Sequence, residues 1–226
     1  MITVIDKSNN PSLKKQLEAI QTKETILLTL DPKGHTIQIN QQSFSLNYRD
    51  STYQSLLSTP HPLLKALGNN PGSILDACGG FGKDSFILAH QGFQIITCEH
   101  NLLIYTLLTQ AIESYTKGSH LNWATYFGDA IQHMEKKSYD TIYLDPMFNL
   151  SRSAKPKLAM QIIQSLTDDT PFTAWHKAWE CAKKRLVIKH HQLTPSIPLL
   201  PKPNQVIKGK RNIRYDIYLK EAIENF

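Results

Sequence analysis

From residue 73 onward the chain alternates short apolar runs with helical stretches, and the first four runs each close on a carboxylate. Residues 73–77, 93–98, 123–127 and 139–144 read as strands, with Asp76, Glu99, Asp129 and Asp145 at their carboxyl ends. Helical patterns separate them: 83–91 stopped by Gly92, 102–117 stopped by Gly118, and a short one after Asp129. Repeated βα units of this kind require a parallel, doubly wound sheet with right-handed crossovers. Ligands of such sheets sit beyond the strand carboxyl ends, where the four acids lie. The run 139–144 is apolar on both faces, as a central strand must be. Helical material over 155–166 and 173–183 precedes a fifth strand at 185–189. A proline-rich connection (Pro195, Pro198, Pro201, Pro203) then leads to 205–208 and 213–219, which read as an antiparallel hairpin.

The first seventy residues follow another pattern, so the division expected is a small N-terminal α+β subdomain over 1–70 and a main domain over 71–226. A strand at 2–5 and a proline-initiated helix at 11–21 come first. Strands at 25–30 and 36–40 then flank the turn Asp31-Pro32-Lys33-Gly34, with a third at 43–47. Residues 48–59 are polar and ambiguous. A short helix over 62–67, closed by Gly68, leads into the linker Asn69-Asn70-Pro71-Gly72.

The 226 residues are 41% hydrophobic and 19% charged, enough apolar material for a real core, which excludes whole-chain disorder. A net charge of +6 tilts the chain toward a polyanion partner. Cys78, Cys98 and Cys181 are an odd count without C-x-x-C spacing, which argues against a disulfide framework and a zinc knuckle. Asp6 interrupts the N-terminus before a signal-peptide core forms, and 102–108 is too short to span a bilayer. The expectation is a cytoplasmic protein with no metal and no membrane partner.

The chemistry concentrates at the strand ends. In Asp76-Ala77-Cys78-Gly79-Gly80-Phe81-Gly82 the glycines let backbone approach a ligand and leave helix N–H groups facing it. The dinucleotide pattern G-x-G-x-x-G/A is met only in part, since Ser85 follows Gly80 and Gly82 at the third site. Glu99, 23 residues after Asp76, is placed to accept both hydroxyls of a ribose. Gly128-Asp129 closes the third strand, where a side chain can reach an adenine amino group; Asp129 with Gln132 also looks like a helix N-cap. Asp145-Pro146-Met147-Phe148 is the most specific element.

Together these resemble class I S-adenosylmethionine-dependent methyltransferases. The tetrapeptide resembles the Asn/Asp-Pro-Pro-Tyr/Phe element of enzymes that methylate exocyclic amines of nucleobases. Such an amine shares its lone pair with the ring and is a poor nucleophile. An acceptor on its hydrogens localises the pair, and an aromatic face holds the ring. Asp145 with the Pro146 carbonyl would be the acceptors and Phe148 the platform for an unstacked base.

The resemblance extends further. Leu75 to Phe86, Cys98 to Asn101, Tyr143 to Phe148, Lys184 to Lys189 and Arg214 to Tyr218 are similar to the RsmJ family, bacterial 16S rRNA guanine-N2 methyltransferases. It covers 74–219 and implies a Rossmann-like seven-stranded sheet with S-adenosyl-L-methionine as cofactor. The implied partner is 16S rRNA or the small ribosomal subunit. By position it implies cofactor contacts at Lys83, Asp84, Glu99, His100, Gly128, Asp129 and Asp145, beside Asp76, Gly80 and Gly82 of the glycine-rich turn. Lys83 and His100 stand where arginines are expected, Gly128-Asp129 where small hydroxyl residues are expected, and Asn149 for a proline. Upstream, where the family carries a basic glycine-rich stretch, this chain has only Arg49.

The remaining clusters read blandly. Lys183-Lys184-Arg185, with Lys189, His190 and His191, and Lys208 to Arg211 with Arg214 and Lys220, read as solvated charge runs. Arg152, Lys155 and Lys157 stand closer to the target base. His190 and His191 alternate across a strand and cannot share a metal. Tyr143, Tyr215, Tyr218, Trp175 and Trp179 read as core, and Cys78 as a small buried residue without a base. Two alternatives to guanine-N2 methylation stand beside it: N6-adenine methylation of DNA or RNA, and a non-catalytic rRNA-binding assembly factor.

Overall fold

The computed structural model describes residues 1–226 apart from 59, 147–157, 167–174, 196, 198–199, 211 and 221–226. The N-terminal part opens with β1 (Ile2–Asp6), α1 (Pro11–Glu18) and β2 (Ile26–Leu30), in which β1 and β2 pair in parallel with Ile2 opposite Ile26. Asn10 caps α1 by accepting from the Leu13 amide, and Pro11 supplies the preset φ of its first turn. β3 (Thr36–Ile39) and β4 (Gln42–Phe44) add antiparallel, so the order is β1-β2-β3-β4. The meander expected around Asp31 to Gly34 is present, its third strand shifted to Gln42–Phe44, and β1 joins it as a fourth.

α2 (Ser51–Leu57) and α3 (Pro62–Leu67) lead into the main sheet. Gly68, at φ +72°, ends α3, and the Arg185 guanidinium caps its last carbonyls at Ala66 and Leu67. The sheet holds β5 (Ile74–Asp76), β6 (Ile95–Glu99), β7 (Trp123–Phe127), β8 (Tyr139–Leu144), β9 (Ala182–His191), β10 (Gln205–Lys208) and β11 (Ile213–Leu219). Between them run α4 (Lys83–His90), α5 (Leu102–Thr116), α6 (Ala130–Lys136), α7 (Leu158–Leu166) and α8 (Trp175–Cys181).

The strand order is β10-β11-β9-β8-β5-β6-β7. β5 to β9 pair in parallel, whereas β11 lies antiparallel between β9 and β10. The chain steps outward from β5 through β6 to β7, then returns to β8 on the other side of β5. That reversal opens a crevice at the carboxyl ends of β5 and β8. All three residues of β5 and five of the six in β8 are buried, as their central places require.

One expectation is corrected. Helix was expected to reach Lys183, but α8 ends at Cys181 and β9 begins at Ala182, paired with Tyr139. Ala-Lys-Lys-Arg favours a helix by propensity. Pairing to β8 on one side and β11 on the other overrides it.

One apolar cluster runs from Ile2, Leu28 and Ile37 through Tyr48 to Phe86, Leu108 and Trp123, so the N-terminal part shares its core with one face of the main sheet. Tyr48, in the stretch that sequence left ambiguous, is 1% exposed, lies parallel to Phe86 at 5.2 Å and meets Tyr53 and Trp123 at 4.9 and 5.0 Å. A second cluster around Leu75, Met134, Tyr139, Leu186 and Tyr218, with Trp175 and Trp179 against it, fills the other face. Among the described residues no helix is long and apolar enough to cross a membrane, and no group of His, Cys, Asp and Glu could hold a metal.

Candidate active site

The glycine-rich turn between β5 and α4 is held from three sides. Gly79 donates to the Cys98 carbonyl at 2.9 Å, Gly82 to the Gly79 carbonyl at 2.8 Å, and Gly80 to Glu99 Oε2 at 2.9 Å. Gly82 begins α4 at φ +62°, and a Cβ there would lie 2.7 Å from the Tyr48 hydroxyl and from Leu108 Cδ1. Gly80 differs: among the described residues, a Cβ on it would meet only Ile163, at 3.8 Å. The turn is therefore packed tightly at Gly82 and open at Gly80. That open cradle, with no side chain capping the N-terminus of α4, fits a ligand with an anionic group.

Asp76 lies beneath this turn, 2% exposed. A buried relay ends on it: Trp123 Nε1 donates to Thr97 Oγ1 at 2.8 Å, Thr97 to Ser85 Oγ at 2.7 Å, and Ser85 to Asp76 Oδ2 at 2.6 Å. Ser85, the residue that breaks the dinucleotide pattern, is the donor that satisfies Asp76. Burial pushes the Asp76 carboxyl up to about 7, against the Ser85 hydrogen bond that lowers it.

Glu99, at the end of β6, accepts from Gly80 and, through Oε1, from the Asn101 amide at 2.7 Å. It is 6% exposed, and burial raises its carboxyl despite those donors and the His100 ring 3.4 Å away. His100 itself is exposed. Gly128 follows β7 and donates to the Glu99 carbonyl at 3.1 Å; Asp129, exposed, caps α6 by accepting from the Ile131 amide at 2.6 Å. The expected N-cap is present, and Oδ2 of Asp129 is left for another partner. Thus Asp76, Glu99, Gly128-Asp129 and Asp145 follow successive neighbouring strands of one sheet edge.

At the β8 end the structure adds a residue that sequence reasoning missed. Lys189, on β9, places Nζ 2.7 Å from Asp84 Oδ2 and 2.6 Å from Asp145 Oδ2. Tyr143, on β8, donates to the same Asp84 oxygen at 2.5 Å. Lys189 is thus no solvated member of a charge run. Burial works against its charge, but the two carboxylates hold its ammonium well above the ordinary lysine range. Asp84 is raised by burial and brought below the ordinary carboxylate range by Lys189 and Tyr143. Burial lifts Asp145, Asp84 adds to that, and Lys189 opposes both; the net direction is upward.

Two other basic residues of β9 have structural partners as well. Lys184 pairs with Asp140 at 3.1 Å, and Arg185 caps α3. Arg214 pairs with Asp216, which also lies 2.9 Å from the buried His190. Lys83, Lys208 and Lys210 are exposed. Cys78 is half-buried, and burial raises its thiol far above the usual range, so it is no thiolate nucleophile. Phe148, with Met147, Arg152, Lys155 and Lys157, lies outside the described residues.

Comparisons with known proteins give the family and the fold. A family model described as "Putative SAM-dependent methyltransferase" matches residues 5–220. The chain is 34% identical over 175 residues to ribosomal RNA small subunit methyltransferase J of Desulfotalea psychrophila, covering 72% of this chain and 66% of that relative. It is 30% identical to the protein of the same name from Psychromonas ingrahamii, covering 71% and 68%. The Coxiella burnetii protein of that name is 34% identical, covering 73% and 63%. The match therefore spans about two thirds of these relatives' length. A crystal structure of a SAM-dependent methyltransferase from Neisseria gonorrhoeae superimposes with a TM-score of 0.70 at 19% identity, over 98% of this chain and 97% of that one, which shows a common fold. On the extent of the family match and these identities, the chain belongs to the RsmJ family of S-adenosylmethionine-dependent methyltransferases.

Proposed function

We propose that the protein transfers a methyl group from S-adenosylmethionine to the exocyclic N2 amine of a guanine in 16S rRNA. The observation that carries this reading is the carboxylate of Asp145, one oxygen held by Lys189, at the crevice beside the open cradle of Gly80. When bound, S-adenosylmethionine supplies a methyl carbon already activated by its sulfonium. The protein's task is then alignment of the acceptor.

In this reading Glu99 and Asp129 accept from ribose hydroxyls and the adenine amine. Gly80 and the first amides of α4, with Lys83, face the amino-acid carboxylate, and His100 borders the adenosine. Asp145 Oδ1 and the Pro146 carbonyl accept the two hydrogens of the guanine N2 amine, turning its lone pair out of the ring. Phe148 is assigned the stacking role by its place in the tetrapeptide. As the nitrogen gains its methyl group, one N–H proton passes to Asp145 or to solvent, which restores a neutral amine.

An RNA partner is supported by the +6 charge and by the names of the relatives. The test is incubation of the protein and labelled S-adenosylmethionine with 16S rRNA and with small subunits, followed by nucleoside mass spectrometry. N2-methylguanosine is expected; N6-methyladenosine, or cofactor binding without any methylated product, overturns the assignment.

A further inference from the structure

We propose that Lys189 is a positioning residue for methyl transfer: it holds Asp145 as an ionised acceptor with Oδ2 occupied, leaving Oδ1 to receive the amine hydrogen. The inference rests on the reading of Asp145 as the amine's acceptor and deepens it. The two bonds of Lys189 Nζ, 2.7 Å to Asp84 and 2.6 Å to Asp145, run from the closed end of the site to its open end. Side-chain exposure rises along the same path, from 7% at Asp84 through 18% at Lys189 to 35% at Asp145. Asp84, itself held by the Tyr143 hydroxyl, fixes the ammonium inside, so the outer carboxylate inherits a fixed orientation.

Chemistry requires that orientation and that charge. A protonated carboxyl would turn an O–H donor toward an N–H donor, and the amine's lone pair would stay in the ring. Burial and the neighbouring Asp84 both favour the protonated form of Asp145, and Lys189 is the principal group opposing them. Without its ammonium, two carboxylates would share one half-closed space and retain a proton between them. Two carboxylates against one ammonium also leave the cluster one negative charge, a match for the net positive charge of the donor and of the amine as it is methylated.

Among the described residues, the other charged and titratable groups around Asp145 and Lys189 do not replace that ammonium. Lys83 and Asp84 act from α4, Asp76 and Cys78 from β5 and the turn after it, Tyr143 from β8, and Tyr215 from β11. His61 acts on Asp84 from the start of α3. Of the cations among these, Lys83 is exposed and His61 prefers its neutral form.

The test compares Lys189→Met, Lys189→Gln and Lys189→Arg with the wild type. S-adenosylmethionine affinity should stay within about threefold. At neutral pH the Met and Gln variants should lose about a hundredfold in kcat. Their acid limb should move up by about one pH unit or more, and Arg should return part of both. A pH profile superimposable on the wild type, or a loss confined to cofactor affinity, overturns the proposal. Carboxyl carbon NMR of Asp145 reads its ionisation without turnover: the midpoint should rise in the Gln variant, and an unchanged midpoint overturns the proposal. Wild-type protein that methylates no guanine would fail the proposed function instead, while the Asp145 titration would still decide the role of Lys189.

Discussion

Gly82→Ala probes the joint between the N-terminal part and the glycine-rich turn. Two effects add at this position. Alanine in the left-handed region at φ +62° costs roughly 1–2 kcal/mol. The new methyl would stand 2.7 Å from the Tyr48 hydroxyl, 2.7 Å from Leu108 Cδ1 and 2.9 Å from Trp123 Cζ2, and overpacking of that kind costs about 1–3 kcal/mol. The sum, about 2–5 kcal/mol, is a large fraction of a domain's stability. Tyr48 is not free to yield, because its hydroxyl donates to the Phe81 carbonyl at 3.0 Å and its ring is buried among four aromatic neighbours. Tyr48→Phe alone should cost about 1–2 kcal/mol by stranding that carbonyl. On the alanine background it removes one of the three clashes, so its cost should fall by about 0.5–1.5 kcal/mol. Urea unfolding of the wild type, both single variants and the double variant measures each term, provided the m-values agree. A Gly82→Ala loss below about 0.5 kcal/mol would refute the close-packing argument, and strict additivity would refute the part assigned to Tyr48.

Other perturbations separate the remaining roles. Glu99→Ala should weaken S-adenosylmethionine binding by about 1–3 kcal/mol in calorimetry, since the ribose acceptor and the anchor of Gly80 are both lost; an unchanged Kd contradicts the ribose role. Asp145→Ala should lower methyl transfer by about 10²–10⁴-fold. Its unfolding midpoint should barely move, because Lys189 keeps Asp84 as a partner; retained turnover removes the acceptor assignment. Asp76 binds its proton more tightly folded than unfolded, so its contribution is full below about pH 4 and is lost as pH rises through about 7. Relative to Asp76→Asn, the wild type should lose on the order of 4 kcal/mol across that window. Parallel stability–pH curves for the two proteins would show that Asp76 titrates normally.

The sequence made the sheet legible because its signals are local. Strand periodicity, the glycines after α3, α4 and α5 and the acids at strand ends lie within a few residues of the features they announce. β8, β10 and β11 fall on the expected residues, and Asp129 caps its helix as its spacing with Gln132 suggested. What escaped depends on distant partners. Lys189 sits in a run of Lys, Arg and His that reads as solvated, and its partners are 44 and 105 positions away. Tyr48 lies in a polar stretch, and its buried place is made by Tyr53 together with the distant aromatic side chains of α4, α5 and β7. The start of β9 was hidden by good helix formers whose strand state is imposed by neighbours on both sides. Ser85 departed from a pattern, and its reason appeared only with the Asp76 carboxylate 2.6 Å away.

The placement of β11 between β9 and β10 has a consequence for biogenesis. Until residue 219 has been synthesised and folded back, β9 presents an unpaired edge and β10 has no sheet neighbour to join. Pairing with β11 is what closes the outer edge of the strand that carries Lys189. A nascent chain stalled before that point would leave that edge open, and an open strand edge invites misassociation.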